Sequence, residues 1–245
     1  MDIRTFDTYE ALCAEIGFEI CCALEQNPRL LICIAAGHTS IGLFDYLAEK
    51  FMAGGVNFSH AAFVSMDEWV GMSESTQSSC GHFLRSKFLS RVNFSESRIR
   101  LFNGLASDLE SECRRVEDFI ASNSINGVID YLVLGTGMNG HLALNEPVAD
   151  LESRAHVTSL TPLTAKVAQK YFPSQIQLTG GVTLGMANFR EATRTMLMVS
   201  GSHKKEILSK ILTDNYINGI IPASAIKTFA NASIYCDKDA YEIKT

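Results

Sequence analysis

The 245-residue sequence has only five prolines and lacks an apolar run long enough for a transmembrane helix. Its longest clean run, residues 30–36, is far short of the roughly 20 residues that a bilayer-spanning helix needs. No basic stretch followed by an apolar one opens the chain, so no signal peptide is predicted. The net charge of −6 argues against nucleic acid or an anionic membrane as the main partner, because both require a basic face. We therefore expect a cytoplasmic protein that acts on a small molecule.

The sequence also lacks the cysteine motifs of common metal sites. Its seven cysteines are odd in number and include no CxxC pair, which indicates a reducing compartment without a disulfide framework or a zinc site. The loop at residues 36–40 contains neither a GK[ST] Walker motif nor a GxGxxG dinucleotide motif. Hydrophobic residues make up 47% of the chain and charged residues 20%, so a core of ordinary size can form.

Apolar runs alternate with helical patterns along the chain. Short apolar runs predict strands at residues 29–35, 61–65, 128–134, 195–199 and 232–236. Apolar residues at helical spacing predict helices around residues 12–24, 43–51, 109–120 and 207–211. The second of these is expected to start near Thr39 or Ser40, and the third with a capping box between Ser107 and Glu110. This alternation is typical of an α/β fold, in which helices cover both faces of a parallel sheet.

Ligands bind at the carboxyl ends of the strands in such sheets, so the loops after residues 35, 65, 134 and 199 are expected to form the site. The first loop contains Gly37, His38 and Thr39 and precedes a helix. The glycine permits a close backbone approach, and the free N–H groups of a helix start suit an anion. The alternative is a plain strand-to-helix turn capped by Thr39 or Ser40.

Two loops carry acid and base groups. Asp67 and Glu68 follow a strand beside the only tryptophan, Trp69. A carboxyl in an apolar pocket has a raised pKa and can act as a general base, whereas an aspartate in a turn or helix cap is the alternative. In the next loop three glycines surround His141, and Glu146 follows five residues later. A neutral histidine can move protons near pH 7 and a carboxylate can orient its ring, but a structural histidine also fits.

The fourth loop places Lys204 and Lys205 at the start of a predicted helix. Lysines there oppose the helix dipole by about 0.3–1 kcal/mol each, and a bound anion reverses the sign of that contribution. Solvated surface lysines are the alternative. Together, two cationic or amide-rich loops and two acid/base loops at one sheet edge indicate a small phosphorylated substrate that undergoes proton transfer.

These motifs resemble those of the glucosamine-6-phosphate deaminase family, and most closely its branch of galactosamine-6-phosphate isomerases and deaminases. The resemblance covers nearly the whole chain and rests on AGHT at 36–39, DEWVG at 67–71, NGH at 139–141 with NEP at 145–147, GVTLG at 181–185, GSHK at 201–204 and IPAS at 221–224. It implies one α/β domain over residues 1–245, with a three-layer, Rossmann-like, mostly parallel sheet and a small mobile lid. Residues 154–172 are the lid candidate.

The resemblance also implies a role for each site residue. Asp67 corresponds to the carboxylate that carries a proton between C2 and C1 of the opened sugar. His141 corresponds to the residue that assists ring opening, and Glu146 to its carboxylate partner. Phosphate binding is assigned to Lys204, to Lys170 in the place of an arginine, and to the loop of Gly37, His38 and Thr39.

Asn139 occupies the place of an aspartate in the glucosamine-type enzymes. Its amide can accept a hydrogen bond from the imidazole of His141, but it cannot stabilise imidazolium by charge, so we expect His141 to be less basic. The same amide is what the galactosamine-type branch carries. The resemblance therefore favours conversion of galactosamine 6-phosphate to tagatose 6-phosphate and ammonia. Basic activator-site residues are replaced by His156 and Thr158, so we expect no allosteric activation.

Three other functions fit parts of the sequence. Glucosamine 6-phosphate, converted to fructose 6-phosphate, differs from the first substrate only at C4. The related 6-phosphogluconolactonases carry DER at the position of Asp67, Glu68 and Trp69 and lack the NEP motif. A non-catalytic sugar-phosphate sensor is the third. We expect no organic cofactor, because imine hydrolysis needs only water, and no metal, because one histidine with carboxylates and amides is not a recognisable ligand set. The sequence leaves the oligomeric state open.

Overall fold

A seven-stranded parallel sheet forms the centre of the protein in the computed structural model, which describes residues 1–214 and 219–241. The strands in these ranges are β1 (Asp2–Phe6), β2 (Leu31–Ile34), β3 (Ala62–Val64), β4 (Asp67–Trp69), β5 (Ile99–Arg100), β6 (Tyr131–Leu134), β7 (His156–Thr158), β8 (Gly181–Thr183), β9 (Arg194–Val199) and β10 (Ala232–Asp237). The central sheet has the order β1-β10-β9-β6-β2-β3-β5 with parallel neighbours, and β4, β8 and β7 form a separate antiparallel sheet.

Helices cover both faces of the central sheet. Within the described ranges the α-helices are α1 (Tyr9–Gln26), α2 (Ile41–Met52), α3 (Cys80–Lys87), α4 (Leu109–Asn123), α5 (Pro162–Ala168), α6 (Met186–Glu191) and α7 (Lys205–Thr213), and none of them is both long and apolar enough to cross a membrane. Successive side chains of β2 point to opposite faces. Leu31 and Cys33 join the core that contains α4, α6 and α7, whereas Ile32 and Ile34 join the core that contains α1, α2 and α3. The predicted three-layer α/β fold is therefore confirmed.

The five predicted strands and four predicted helices are all present, and α2 starts next to Ser40 as expected, but the start predicted for α4 was wrong. The capping box at Ser107 does not form, because α4 begins at Leu109 and its N-cap is Asp108, whose side chain accepts the Ser111 N–H at 3.0 Å. Helix α2 begins at Ile41, after a 3-10 turn over His38–Ser40, and no side chain caps it.

The separate sheet was not predicted, and it carries one wall of the site. Its strands have three residues each, too few for an alternating pattern to show. Residues 67–69, expected to be a loop, form β4, in which Asp67 pairs with Thr183 of β8. The lid candidate 154–172 starts in β7, which also pairs with β8, and continues through α5. Its movement, and the division of the chain into domains, stay predictions.

Candidate active site

A cavity of about 450 Å³ opens at the carboxyl ends of the central strands. As predicted, residues from all four loops line it, after β2, β3, β6 and β9. Helix α5 and the following 3-10 turn, Gln169–Tyr171, which belong to the lid candidate and include Lys170, form a further wall. In the described part of the chain, no three histidine, cysteine or acidic side chains cluster in a way that could hold a metal ion.

Asp67 lines this cavity at the start of β4 and is half-buried. Burial raises the pKa of its carboxyl to about 7. A hydrogen bond from the Cys80 thiol opposes this rise, and the nearby charge of Glu68 adds to it. At neutral pH the carboxyl therefore exchanges protons readily, as a general base requires.

Glu68 has a structural task, although it is adjacent to Asp67 in the chain. It is fully buried and accepts backbone N–H groups from Trp69 at 2.8 Å, Cys80 at 3.1 Å and Gly81 at 2.8 Å. Burial raises its pKa, and these three hydrogen bonds oppose that rise. Glu68 thereby fixes the start of α3 to β4 and holds Cys80 next to Asp67.

His141 lines the same cavity as Asp67, so the two predicted proton-transfer groups share one pocket. A Cβ atom on Gly137 would lie 2.3 Å from His141 Nε2, so glycine is required there for the ring to fit. The pKa of His141 is lowered mainly by burial; Glu146 raises it and Lys204 lowers it. That His141 is less basic than in enzymes with an aspartate at the place of Asn139 stays a prediction.

The contacts of Asn139 differ from the expectation. Its Oδ1 accepts the backbone N–H of His141 at 3.2 Å, not the imidazole, because Asn139 and Gly140 form a tight turn that directs the amide oxygen two residues ahead. Its Nδ2 donates to Glu146 Oε2 at 2.7 Å. Glu146 Oε1 lies 3.9 Å from His141 Nδ1 and has no hydrogen-bond partner among the described residues.

Two lysines also line the cavity and give part of it a positive charge. Lys204 is half-buried, and its Nζ donates to the carbonyl of Thr136 at 2.7 Å. Burial, together with the positive charge of Lys170, lowers the pKa of Lys204 to about 8. Lys170 is exposed, lines the cavity, and has its Nζ 4.9 Å from the centre of the Tyr171 ring. Two lysines that repel each other across a cavity form a site for an anion.

The loop before Lys204 is fixed by a buried carboxylate. Gly201 has φ 88°, a left-handed conformation that favours glycine, and its N–H donates to both carboxyl oxygens of Asp237 at 3.1 Å. Ser200 donates to the same carboxylate. Asp237 is 4% exposed, so these bonds hold the Lys204 loop against β10.

Gly37, His38 and Thr39 also line the cavity. The His38 ring stacks on Tyr171, with centroids 5.4 Å apart and planes 15° from parallel. The Thr39 carbonyl accepts the Tyr9 hydroxyl at 2.9 Å. The loop is therefore at the cavity as expected, while its role in phosphate binding stays a prediction.

Four lining or supporting residues were missed: Cys80, Thr161, Thr164 and Tyr171. Thr161 followed by Pro162 is a typical helix start, and Thr161 is indeed the N-cap of α5. That signal could have located the helix, but not its contact with His141. Nothing in the local sequence marks Cys80 or Tyr171.

The fold and this site define a class of α/β proteins that act on small phosphorylated molecules at the carboxyl edge of the sheet. More narrowly, the chain belongs to the family of glucosamine-6-phosphate isomerases and 6-phosphogluconolactonases, whose sequence model matches residues 5–235. A glucosamine-6-phosphate deaminase of Thermoanaerobacter pseudethanolicus is 29% identical over 218 residues, covering 89% of this chain and 85% of that protein. Glucosamine-6-phosphate deaminase 1 of Bacillus subtilis is 29% identical over 245 residues, covering 100% and 98%.

Solved structures give the same picture. The structure of a monomeric glucosamine-6-phosphate deaminase superposes with a TM-score of 0.92 at 30% identity, covering 98% of each chain. The 6-phosphogluconolactonase from Trypanosoma brucei gives a TM-score of 0.72 at 18% identity, covering 100% of this chain and 98% of that one, which shows a common fold alone. Neither the two relatives nor the first structure is named for galactosamine 6-phosphate, so the comparisons support the family and not that branch.

Proposed function

We propose that this protein deaminates and isomerises a hexosamine 6-phosphate, giving a ketose 6-phosphate and ammonia. One observation carries the proposal: Asp67 and His141 line a single cavity that Lys170 and Lys204 also line. A sugar phosphate is a short chain with an anion at one end and reactive carbons at the other. The names of the relatives at 29–30% identity support the same substrate class.

The phosphoryl group is placed between Lys204 and Lys170, near the loop of Gly37 to Thr39. Its negative charge relieves the repulsion between the two lysines and raises the depressed pKa of Lys204. The phosphoryl group is bound equally strongly in the substrate and in the transition state. These contacts therefore orient the sugar and take no part in bond making or breaking.

Ring opening is assigned to His141. The Nδ1 atom faces Thr164 and Glu146, which leaves Nε2 to accept the proton of the anomeric hydroxyl and return it to the ring oxygen. The imidazolium that forms between these transfers is stabilised by Glu146, because its Oε1 is buried 3.9 Å away without a partner.

Asp67 is the base for the isomerisation. It removes the proton from C2 of the open aldose, which gives an enolamine, and returns a proton to C1, which gives an imine at C2. Water adds to this imine, the C–N bond breaks, and ammonia leaves with the ketose. A carboxyl whose pKa is about 7 suits both directions of transfer.

For the epimer, we propose galactosamine 6-phosphate, on Asn139 alone; glucosamine 6-phosphate is the second candidate, supported by the names of the relatives. Ammonia release from each purified epimer, at equal enzyme concentration, tests both. The preferred epimer is expected to have the higher kcat/KM. A value about a hundredfold lower for galactosamine 6-phosphate would exclude it as the preferred substrate.

The same assay tests the enzyme class. Hydrolysis of 6-phosphogluconolactone serves as the control reaction, and we expect none above the spontaneous rate. Binding of a hexosamine 6-phosphate in calorimetry, with no ammonia released at high enzyme concentration, would contradict the proposal and identify a sensor.

A further inference from the structure

The first turn of α5 contacts the ring-opening histidine through a hydroxyl. Thr164 is 5% exposed, and its Oγ1 lies 3.3 Å from His141 Nδ1, 3.4 Å from Asn139 Nδ2 and 3.1 Å from Thr161 Oγ1. Thr161 Oγ1 also lies 3.1 Å from Glu146 Oε2. The hydroxyls of buried Thr164 and partly buried Thr161, both in the lid candidate, therefore join His141 to Glu146.

Each threonine hydroxyl has one proton, and this limits which oxygen donates in each of these hydrogen bonds. Thr161 has one hydroxyl proton, and a bond to the Glu146 carboxylate is stronger than one to a neutral hydroxyl. Thr161 is also placed to donate to Thr164 Oγ1 at 3.1 Å, but with its proton on the carboxylate we assign the Thr161–Thr164 bond to the proton of Thr164. Thr164 Oγ1 is left with two acceptor positions, one for the Asn139 amide and one for a proton on His141 Nδ1.

We propose that Thr164 is a positioning residue for His141: its hydroxyl accepts the Nδ1–H and so leaves Nε2 unprotonated toward the substrate. This inference rests on the proposed function, because it concerns the ring-opening step. Only this tautomer can begin by accepting the proton of the anomeric hydroxyl. The bond also links α5 to the histidine, so a displacement of the lid candidate changes the orientation of the base.

Thr164→Val is the main test, because valine keeps the shape of threonine and removes the hydroxyl. We expect kcat for ammonia release to fall about 10–100-fold, part of what a general base contributes. Affinity for the reduced, open-chain alditol of the hexosamine 6-phosphate is expected to stay unchanged, since that molecule needs no ring opening. Thr164→Ser restores the hydroxyl and is expected to keep kcat near that of the wild type.

Thr158→Val is the matched control in the same segment. The Thr158 hydroxyl donates only to the neighbouring Ser159 carbonyl, at 3.2 Å, so kcat is expected to be unchanged. An equal loss of kcat in Thr158→Val and Thr164→Val would indicate a general effect on the segment and overturn the proposal. A wild-type kcat in Thr164→Val would overturn it as well.

Nitrogen-15 NMR of the labelled histidine side chains tests the tautomer in the wild type, without a variant. We expect His141 to carry its proton on Nδ1 when the alditol is bound, and Thr164→Val to produce a mixture of tautomers. A proton on Nε2 in the wild type would refute the assignment. This readout needs no turnover, so it separates failure of the Thr164 proposal from failure of the proposed activity.

Discussion

The two ends of the cavity are built on opposite principles. At the proton-transfer end, around Asp67 and His141, most polar groups have partners within the protein, in a network that includes Asn139 and Glu146. At the cationic end, Lys170 and Lys204 destabilise each other. The first end is organised before substrate arrives, whereas the second reaches its most stable state only with an anion. A substitution at the proton-transfer end is therefore expected to lower kcat, and a substitution at the cationic end is expected to raise KM.

The pH dependence of stability also differs between the ends. The folded-state pKa of Asp67 lies above its ordinary value, so the ionised carboxyl costs stability above pH 7 and costs nothing once both states are protonated, below about pH 4. The folded-state pKa of Lys204 is lowered to about 8, so its cost is present below pH 8 and disappears as pH rises toward the ordinary lysine value. A bound phosphate removes only the second cost.

The largest effect is expected for Asp67→Asn, which removes the base and keeps the shape. We expect kcat to fall about 10³-fold or more and exchange of the C2 proton with solvent to stop, because an amide cannot accept that proton. Phosphate-end binding, measured with the alditol, is expected to stay nearly intact. Solvent-deuterium exchange followed by NMR measures the first effect and calorimetry the second.

The same variant is expected to be more stable than the wild type at pH 8. The gain is about 1–2 kcal/mol, less than the full pKa shift implies because the carboxyl is only half-buried, and it vanishes near pH 4. Asp118→Asn, on the exposed side of α4, is the control and is expected to change neither kinetics nor stability. Retained C2 exchange in Asp67→Asn would exclude Asp67 as the base.

Lys204→Ala is expected to have the second-largest effect, at the other end. Loss of a half-buried cation from the phosphate site should raise KM about 10–100-fold and leave kcat within a few-fold. In the wild type, KM is expected to rise above pH 8 as Lys204 loses its proton, and the variant is expected to lack this rise. Steady-state kinetics from pH 6 to 10 measure both.

Lys210→Ala is the control for Lys204→Ala, because Lys210 pairs with Glu206 on the outer face of α7, at 2.6 Å. Its KM is expected to match the wild type. If Lys204→Ala lowered kcat and left KM unchanged, the phosphoryl group would have to bind elsewhere, and the contrast between the two ends would fail.

Asn139→Asp is a smaller change that adds charge to the proton-transfer end. A carboxylate near the imidazole favours its charged form, so the pKa of His141 should rise, by about one unit or less. The rise is limited because Asn139 Nδ2 now donates to Glu146, and two facing carboxylates take up a shared proton. Titration of the His141 ring by NMR measures the shift. An unchanged His141 titration, with fold and alditol binding intact, would contradict the coupling.

The sequence was informative about the site wherever position in the topology decides the outcome. Residues that follow central parallel strands meet at one edge, so His141 and Lys204 could be expected to share a cavity before any coordinates were known. The glycines around His141 had the same value, because Gly137 contacts the ring directly. The fold followed from the alternation of strands and helices.

The sequence did not predict the contacts of side chains that have several possible hydrogen-bond partners. The amide oxygen of Asn139 was expected to accept a hydrogen bond from the imidazole of His141. The Asn-Gly turn instead directs this oxygen to the backbone N–H of His141. Thr164 belongs to a helix far from His141 in the chain, and only tertiary packing brings the two together. The residues alone also did not distinguish the role of Glu68 from that of Asp67, because the sequence did not predict β4. In this strand adjacent side chains point to opposite sides, so the two carboxylates have different surroundings.

The smallest effect we predict concerns Cys80, which touches only the proton-transfer end. Its thiol donates a hydrogen bond to Asp67 and lowers the pKa of that carboxyl, so Cys80→Ala should raise the pKa of Asp67 further above 7. The acidic limb of the kcat/KM profile is then expected to move up by about half a pH unit. The backbone N–H that Cys80 donates to Glu68 stays, so the start of α3 is preserved. Cys80→Ser keeps a donor and should leave the limb in place. A limb that stays fixed in Cys80→Ala, with KM unchanged, would mean that the Cys80 thiol does not affect the pKa of Asp67.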